Sequence, residues 1–336
     1  VSTRTLTIDN SAPTAFLTGG VGAIAGQAVS VSAGFADAGV EDGPWSWSID
    51  WGHGLPSTGS YTSLSNTTST SHVYPSAGAY TARITVTDRD GATGTAELEI
   101  VVAPANQPPI ASFTTSGSTV EGSTMTLSAA SSSDPDGDGL SYVWAIFKNG
   151  SSVPFAALTG VSPDVHFDDE GSYEIRLVVT DDNTFGELSA TTSHTVVISN
   201  AAPVVNLGTV TGVVADQPFN LGGSFADAGE GDAPWAWTIN WGSGSPSTGS
   251  ASTEGAIGAT HTYSAAGTYT VQLSVTDSDG ATGLATISVV VAPANRAPVA
   301  AIGVSGTLVE GSTLTLSGSG SSDPDGDALT YTWTGT

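Results

Sequence analysis

The residues best placed to do chemistry are carboxylates spaced two apart. Asp134-Pro-Asp136-Gly-Asp138 sets three acids within one short string, and Asp323-Pro-Asp325-Gly-Asp327 repeats it later in the chain. Like charges this close repel unless solvent or a cation separates them, and Ca2+ takes about six to eight oxygens from loops of this kind. The order Asp134, Asp136, Asp138, Gly139 imitates the opening of an EF-hand loop. The twelfth position, where that loop needs a bidentate Glu, is Ala145, and the sixth position of the second copy is Ala328. The string is therefore not an EF-hand. Two readings stand: a calcium loop of another type, or a solvated acidic turn held by Asx hydrogen bonds.

Catalytic patterns are scarce. There is no G-x-S-x-G, no H-E-x-x-H, no phosphate-cradling glycine loop and no Cys for thiol or disulfide chemistry. The five His are His53, His72, His166, His194 and His261, and none forms a catalytic pattern. We expect no enzyme and no catalytic residues. Asn66-Thr67-Thr68 and Asn149-Gly150-Ser151 match the glycan-acceptor pattern.

Charge narrows the partners. Six Lys and Arg face 32 Asp and Glu, a formal charge of −26. A nucleic-acid binder releases counterions with basic side chains, so that class is excluded, as is docking to anionic membrane through a basic patch. No apolar run approaches the ~18 residues of a spanning helix. Divalent cations are the natural electrostatic partner.

The elements that must position these acids are strands. Ser and Thr number 90 and Gly 42, whereas Lys occurs once. Val, Ile, Thr, Tyr and Trp fall in short runs between Gly, Pro, Asp and Asn, an all-β composition. Tyr80, Ala82, Ile84 and Val86 alternate with Thr81, Arg83, Thr85 and Thr87. After the turn Asp88-Arg89-Asp90-Gly91, Ala96, Leu98, Ile100 and Val102 alternate with polar residues, which predicts a hairpin. Trp45, Trp47, Ile49 and Trp51 share one strand face, either as a Trp-rich core or as an exposed platform for sugar rings.

The chain repeats itself with a period of roughly 190 residues. The string FADAG…PWSW from Phe35 returns as FADAG…PWAW from Phe225, and EGSTMTLS from Glu121 returns as EGSTLTLS from Glu310. Two unit types, A and B, therefore alternate, each of roughly 95 residues with about seven strands, the size of an immunoglobulin-like sandwich. Asn–Pro linkers separate them at Asn10, Asn106, Asn200 and Asn295. We expect residues 1–10 to be the last strand of a preceding B unit, 11–104 unit A1, 105–200 unit B1, 201–293 unit A2, and 294–336 the first half of unit B2. The chain reads as a window onto a longer tandem array.

The units resemble the PKD (polycystic kidney disease) domain. The carrying motifs are SHVYPSAGAYTARITVTDRDGATG at Ser71 and THTYSAAGTYTVQLSVTDSDGATG at Thr260. IDWGHG at Ile49 and INWGSG at Ile239 look like the family's Trp-Gly-Asp-Gly turn, with His53 and Ser243 in place of its Asp. His72 and His261 fall at the family's structural His-x-Tyr position. The resemblance implies tandem β-sandwiches in an extended array. It also implies modules that are extracellular spacers, adhesion modules or accessories of secreted hydrolases. In family members that bind calcium, ligands come from the linker, the acidic loop and the Val-Thr-Asp strand end. Those positions match Asn106, Asp134, Asp136 and Asp181 here, with Asp138 beside them, and Asn295, Asp323, Asp325 and Asp327 in B2. The A units offer Asp37, Asp42 and Asp88, and Asp227, Asp232 and Asp277, in a looser loop.

The expected function is therefore structural or adhesive: a calcium-stiffened segment of an extracellular stalk or cell-surface filament. The alternative is a set of carbohydrate- or protein-binding accessory modules on a secreted hydrolase. Expected partners are neighbouring repeats, like chains in a filament, or cell-surface glycans and proteins.

Overall fold

The computed structural model describes residues 3–5, 9–64 and 67–335. The strand expected over residues 1–10 falls largely on positions outside these, as does Asn66. The structure is all-β, with two compact units. One comprises Val1–Ile110, Ser133–Ser141 and Thr180–Ala190; the other comprises Ala111–Ser132, Tyr142–Val179 and Thr191–Thr336.

In the first unit, β1 (Thr14–Gly19), β3 (Ala28–Ala36) and β6 (Thr67–Val73) form one sheet in the order β1-β3-β6. Facing it are β2 (Ala23–Ile24), β4 (Trp45–Asp50), β5 (Ser57–Tyr61), β7 (Gly78–Thr87) and β8 (Thr93–Ala103), ordered β2-β8-β7-β4-β5. The period-two pattern sets the register: Ile84 pairs with Ala96, Ala82 with Leu98 and Tyr80 with Ile100. Ala82, Ile84, Val86, Ile100 and Val102 are buried, whereas the intervening Thr and Glu side chains face outward or lie only partly covered. Gly91 closes the hairpin with φ 93°, a left-handed turn that suits glycine.

Trp45, Ile49 and Trp51 join this core, and Trp47 packs against it half-buried. The ring of Trp47 lies over Gly59, where a Cβ would come within 2.5 Å of it. The tryptophan face is thus a core, not a sugar platform. The Tyr74 hydroxyl donates to Trp51 O at 3.1 Å, and Tyr263 donates to Trp241 O at 2.9 Å in the second unit.

The second unit holds β9 (Thr114–Gly117), β10 (Ser123–Ser128) and β13 (Asp164–Phe167), ordered β13-β10-β9. The partner sheet is β12-β11-β14-β15, from β11 (Leu140–Lys148), β12 (Ala156–Thr159), β14 (Gly171–Asp181) and β15 (Ser189–Ile198). The ends of β11, β14 and β15 run into the first unit. Then come β16 (Val204–Leu207), β17 (Val213–Val214), β18 (Pro218–Ala226), β19 (Trp235–Asn240), β20 (Ser247–Ala251), β21 (Gly255–Thr262), β22 (Gly267–Thr276) and β23 (Thr282–Ala292). They repeat the A1 topology as β16-β18-β21 and β17-β23-β22-β19-β20. A last pair joins β24 (Gly303–Ser305) to β25 (Thr315–Ser317).

The linker prolines press on the hairpins. A Cβ on Gly94 would lie 1.8 Å from Pro13 O, and one on Gly283 would lie 1.8 Å from Pro203 O. Only glycine lets the incoming chain pass there.

His72 stacks on Trp51 at 5.1 Å, and His261 stacks on Trp241 at 4.6 Å. Burial pushes both imidazole pKa values down, and His53 adds to this at His72. Each folded value lies below the unfolded one of about 6.5, so their contribution is intact above that pH and is lost as pH falls. The A-unit transitions in scanning calorimetry should therefore drop between about pH 7 and 5. His261→Phe should flatten the drop in A2; an unchanged slope would exclude this histidine as its source.

Candidate metal centre

The same link recurs where three of the four linkers meet the following sandwich. Asn10 Nδ2 donates to Asp88 Oδ2 at 2.9 Å, Asn106 Nδ2 to Asp181 Oδ2 at 3.1 Å, and Asn200 Nδ2 to Asp277 Oδ2 at 3.1 Å. The other oxygen of each Asp caps its hairpin turn. Asp88 Oδ1 accepts from the N–H groups of Asp90 and Ala92, Asp181 Oδ1 from Leu188 and Asn183, and Asp277 Oδ1 from Ala281. Burial pushes the Asp88 and Asp181 carboxyls up, but these hydrogen bonds outweigh it and hold both below the usual range. The Val-Thr-Asp position thus combines a turn cap and a linker anchor.

In B1 the acidic string folds as an Asx turn: Asp134 Oδ1 accepts from Asp136 N–H at 2.7 Å and Asp138 N–H at 3.4 Å. Asp134, Asp136 and Asp138 bring oxygens within 4.8 Å of one another. Asp136 is engaged by the linker, through Gln107 N–H at 2.7 Å and Gln107 Nε2 at 2.8 Å. Asp138 Oδ2 accepts from Asn183 Nδ2 at 2.8 Å, and Asp181 is tied in through Asn106. Asn106 Oδ1 and Asp134 Oδ2 are buried without a hydrogen-bond partner. Buried acceptors facing no donor are costly, and hard oxygens are what Ca2+ takes. Asn106, Asp134, Asp136 and Asp138 are thus a hard-oxygen set compatible with calcium, whereas Asp181 is not among the acids brought within 4.8 Å of one another and joins the set only through Asn106.

The B2 copy differs. Asp323 Oδ1 again accepts from the N–H groups of Asp325 and Asp327. However, Asp325 already has a cation partner: Arg296 N–H reaches it at 2.6 Å and Arg296 Nε at 3.0 Å. These bonds hold the Asp325 carboxyl below its usual range. Asn295 is exposed beside it.

The A units gather their acids around the tryptophan strand. Asp37 Oδ2 accepts from Trp45 Nε1 at 2.8 Å, and Asp227 Oδ2 accepts from Trp235 Nε1 at 2.7 Å. Asp37, Asp42 and Asp88 come within 4.8 Å of one another, as do Asp227, Asp232 and Asp277. Burial and the charges of Asp37, Asp90 and Asp88 push the Asp42 carboxyl up. Asp232 is only 1% exposed, and neither of its oxygens has a partner, nor does Asn200 Oδ1. Burial, then Glu121, Asp227, Asp277 and Asp279, push the Asp232 carboxyl up to about 7. In A2 the looser-looking loop thus holds more unpartnered buried oxygens than the B1 loop. Sequence reasoning missed Asn10, Asn200, Gln107 and Asn183; the first two were visible as linker asparagines in phase with Asn106.

Sandwiches that recur in phase, each entered through an Asn–Pro linker anchored on a strand-end Asp, define an array of immunoglobulin-like modules. The family model for the PKD domain matches residues 10–102, 106–196 and 200–291, and the chain belongs to that family. It is 29% identical over 226 residues to the Dyslexia-associated protein KIAA0319 homolog of Rattus norvegicus, covering 66% of this chain and 20% of that protein. It is 32% identical over 143 residues to Chitinase A of Pseudoalteromonas piscicida, covering 41% of this chain and 16% of that protein. The chain thus spans about a fifth or less of the length of these curated relatives. Among solved structures, a Ca2+-stabilized adhesin with which an Antarctic bacterium binds ice matches at 15% identity with a TM-score of 0.40, over 88% of this chain and 78% of that one.

Proposed function

We propose that this chain is a structural and adhesive segment of an extracellular stalk or surface filament, in which calcium held where each linker meets the next PKD module limits pivoting. The observation that supports this most is the recurring Asn-to-Asp link, with unpartnered buried oxygens on Asn106, Asp134, Asn200 and Asp232 beside it. A cation shared by linker and loop removes a rotational freedom that hydrogen bonds alone leave partly open. Its partners are neighbouring repeats, like chains, or surface glycans and proteins, and its work needs no catalysis.

Binding to the folded form alone adds stability as RT ln(1 + [L]/Kd), about 2.7 kcal/mol at a hundredfold excess over Kd. Ca2+ should therefore raise the melting temperature and lengthen the mean end-to-end distance in X-ray scattering. Asp134→Ala with Asp136→Ala should remove the part contributed by the A1–B1 linker. Scattering and melting curves that coincide in calcium and in chelator would leave the loops as acidic turns.

A second reading, accessory modules of a secreted hydrolase, draws on the likeness to Chitinase A. The burial of Trp45 and Trp235 argues against stacking of sugars on those rings. Glycan-array binding lost in Trp237→Ala, whose ring is half-buried, would favour that reading.

A further inference from the structure

A second carboxylate cluster lies away from the linker asparagines. Glu121, Asp169, Glu170 and Asp232 each offer an oxygen within 4.8 Å of the others. All four belong to the second compact unit, but they come from two successive repeats. Glu121 precedes β10, Asp169 and Glu170 lie in the turn between β13 and β14, and Asp232 lies in the loop between β18 and β19. The two repeats touch here. Glu230 N–H donates to Asp168 O at 2.7 Å, Ala201 N–H donates to Glu121 Oε1 at 2.6 Å, and a Cβ on Gly122 would meet Ala228 Cβ at 2.6 Å.

The cluster is buried and incompletely satisfied. Glu121 is 3% exposed and Asp232 1%. Glu121 Oε2, Glu170 Oε2 and both Asp232 oxygens lack hydrogen-bond partners. Lys148 pairs with Asp169, which leaves three further carboxylates in the same small volume. Buried like charges of this density need a counter-charge.

The three acids that B1 contributes have no counterpart in the A units. Glu121 N–H donates to Ser199 O as Ala25 N–H does to Ala103 O and Ala215 N–H to Ala292 O, so the three positions are equivalent. Gly122, Gly26 and Asp216 likewise donate to Phe167, Tyr74 and Tyr263. The residues that follow are Asp168-Asp169-Glu170 in B1, but Pro75-Ser76-Ala77 in A1 and Ser264-Ala265-Ala266 in A2. The A units thus carry no acid at the places of Glu121, Asp169 and Glu170, and Glu310 restores the first of them in B2.

We propose that a divalent cation, Ca2+ by its all-oxygen donor set, binds between Glu121, Asp169 and Glu170 of the B1 repeat and Asp232 of the A2 repeat, bridging B-to-A junctions. The bridge does not depend on the linker-asparagine reading, with which it shares only Asp232.

The test uses the whole chain, calcium alone as the probe, and Glu121→Gln, Glu170→Gln and the double variant Asp134→Ala/Asp136→Ala. Isothermal titration gives stoichiometry and affinity, calorimetry gives melting in calcium and in chelator, and far-ultraviolet circular dichroism checks the fold. Glu121→Gln should lose one bound ion, or weaken one class of site at least about tenfold. Its melting temperature should fall below wild type in calcium yet match or exceed it in chelator, because one of the repelling charges is gone. Glu170→Gln, on a more exposed residue, should behave alike and covers the case in which Glu121→Gln folds poorly. The double variant should keep this ion. Unchanged stoichiometry and affinity in both Gln variants would overturn the proposal, as would equal destabilisation in calcium and chelator, and would assign the cluster to shared protons. Loss of calcium binding in the double variant alone would leave the linker reading standing and sink this one.

Discussion

Trp144→Ala should lower the stability of the middle repeat by about 4 kcal/mol, the range expected for emptying a large core site. Trp144 is fully buried, its Nε1–H donates to Gly160 O at 2.9 Å, and the ring meets Phe113 edge-on at 5.2 Å. Deletion leaves a cavity the size of an indole and a carbonyl without its donor. For a repeat of roughly 90 residues, that loss corresponds to a melting shift of about 20 °C. The shift should be confined largely to one transition. The A1 core, from Leu17 to Val102, and the A2 core, from Val213 to Val291, are built from their own strands. Nearest-neighbour contacts should pass on only part of the effect. Calorimetry in chelator resolves this; three transitions that fell together by the same amount would mean that the repeats do not fold separately.

The strands and turns were legible because local rules decide them. Tyr80 to Val86 alternates with period two, and the Asp88–Gly91 string supplies a turn residue that accepts a positive φ. The tryptophan strand was ambiguous, because alternation tells which residues share a face and not whether another sheet covers it. The opposing sheet of β1, β3 and β6 buries Trp45 and Trp51, and that packing joins residues distant in sequence. The linker asparagines were visible in the repeat, but a ligand role was suggested only through the family resemblance, and only for Asn106 and Asn295. Their partner Asp88, Asp181 or Asp277 lies more than seventy residues on, beyond any local pattern. Glu121 entered the sequence pattern only as the first residue of a repeated string. Its burial comes from the loop of the following repeat around Ala228 and Asp232, and no periodicity encodes that contact. Its one visible signal was the substitution of Ala25 and Ala215 at the matching place.

Asp277→Ala should be the most damaging change among the acidic residues, and Asp277→Asn should separate its two roles. Asp277 is buried, accepts from Ala281 N–H at 2.8 Å and from Asn200 Nδ2 at 3.1 Å, and lies within 4.8 Å of Asp227 and Asp232. Alanine leaves two part-buried donors unpaired, each costing about 1–3 kcal/mol at most. Relief of repulsion from Asp227 and Asp232 returns part of this. In chelator a net loss of about 3 kcal/mol follows, or roughly 15 °C in the A2 transition, and in calcium the loss is larger because the ion-dependent rise goes too. Asparagine keeps an oxygen for Ala281 N–H, removes the charge and sets an N–H donor opposite Asn200, whose amide can turn so that its unpartnered Oδ1 accepts. In chelator, Asp277→Asn should therefore melt close to wild type. In calcium, it should lack most of the ion-dependent rise, because a neutral amide oxygen is a weaker ligand than a carboxylate. If Asp277→Asn instead melted as low as Asp277→Ala in chelator, the charge itself would be what holds the turn and linker together. Equal calcium responses in wild type and Asp277→Asn would remove Asp277 from the set of calcium ligands and leave it as a cap.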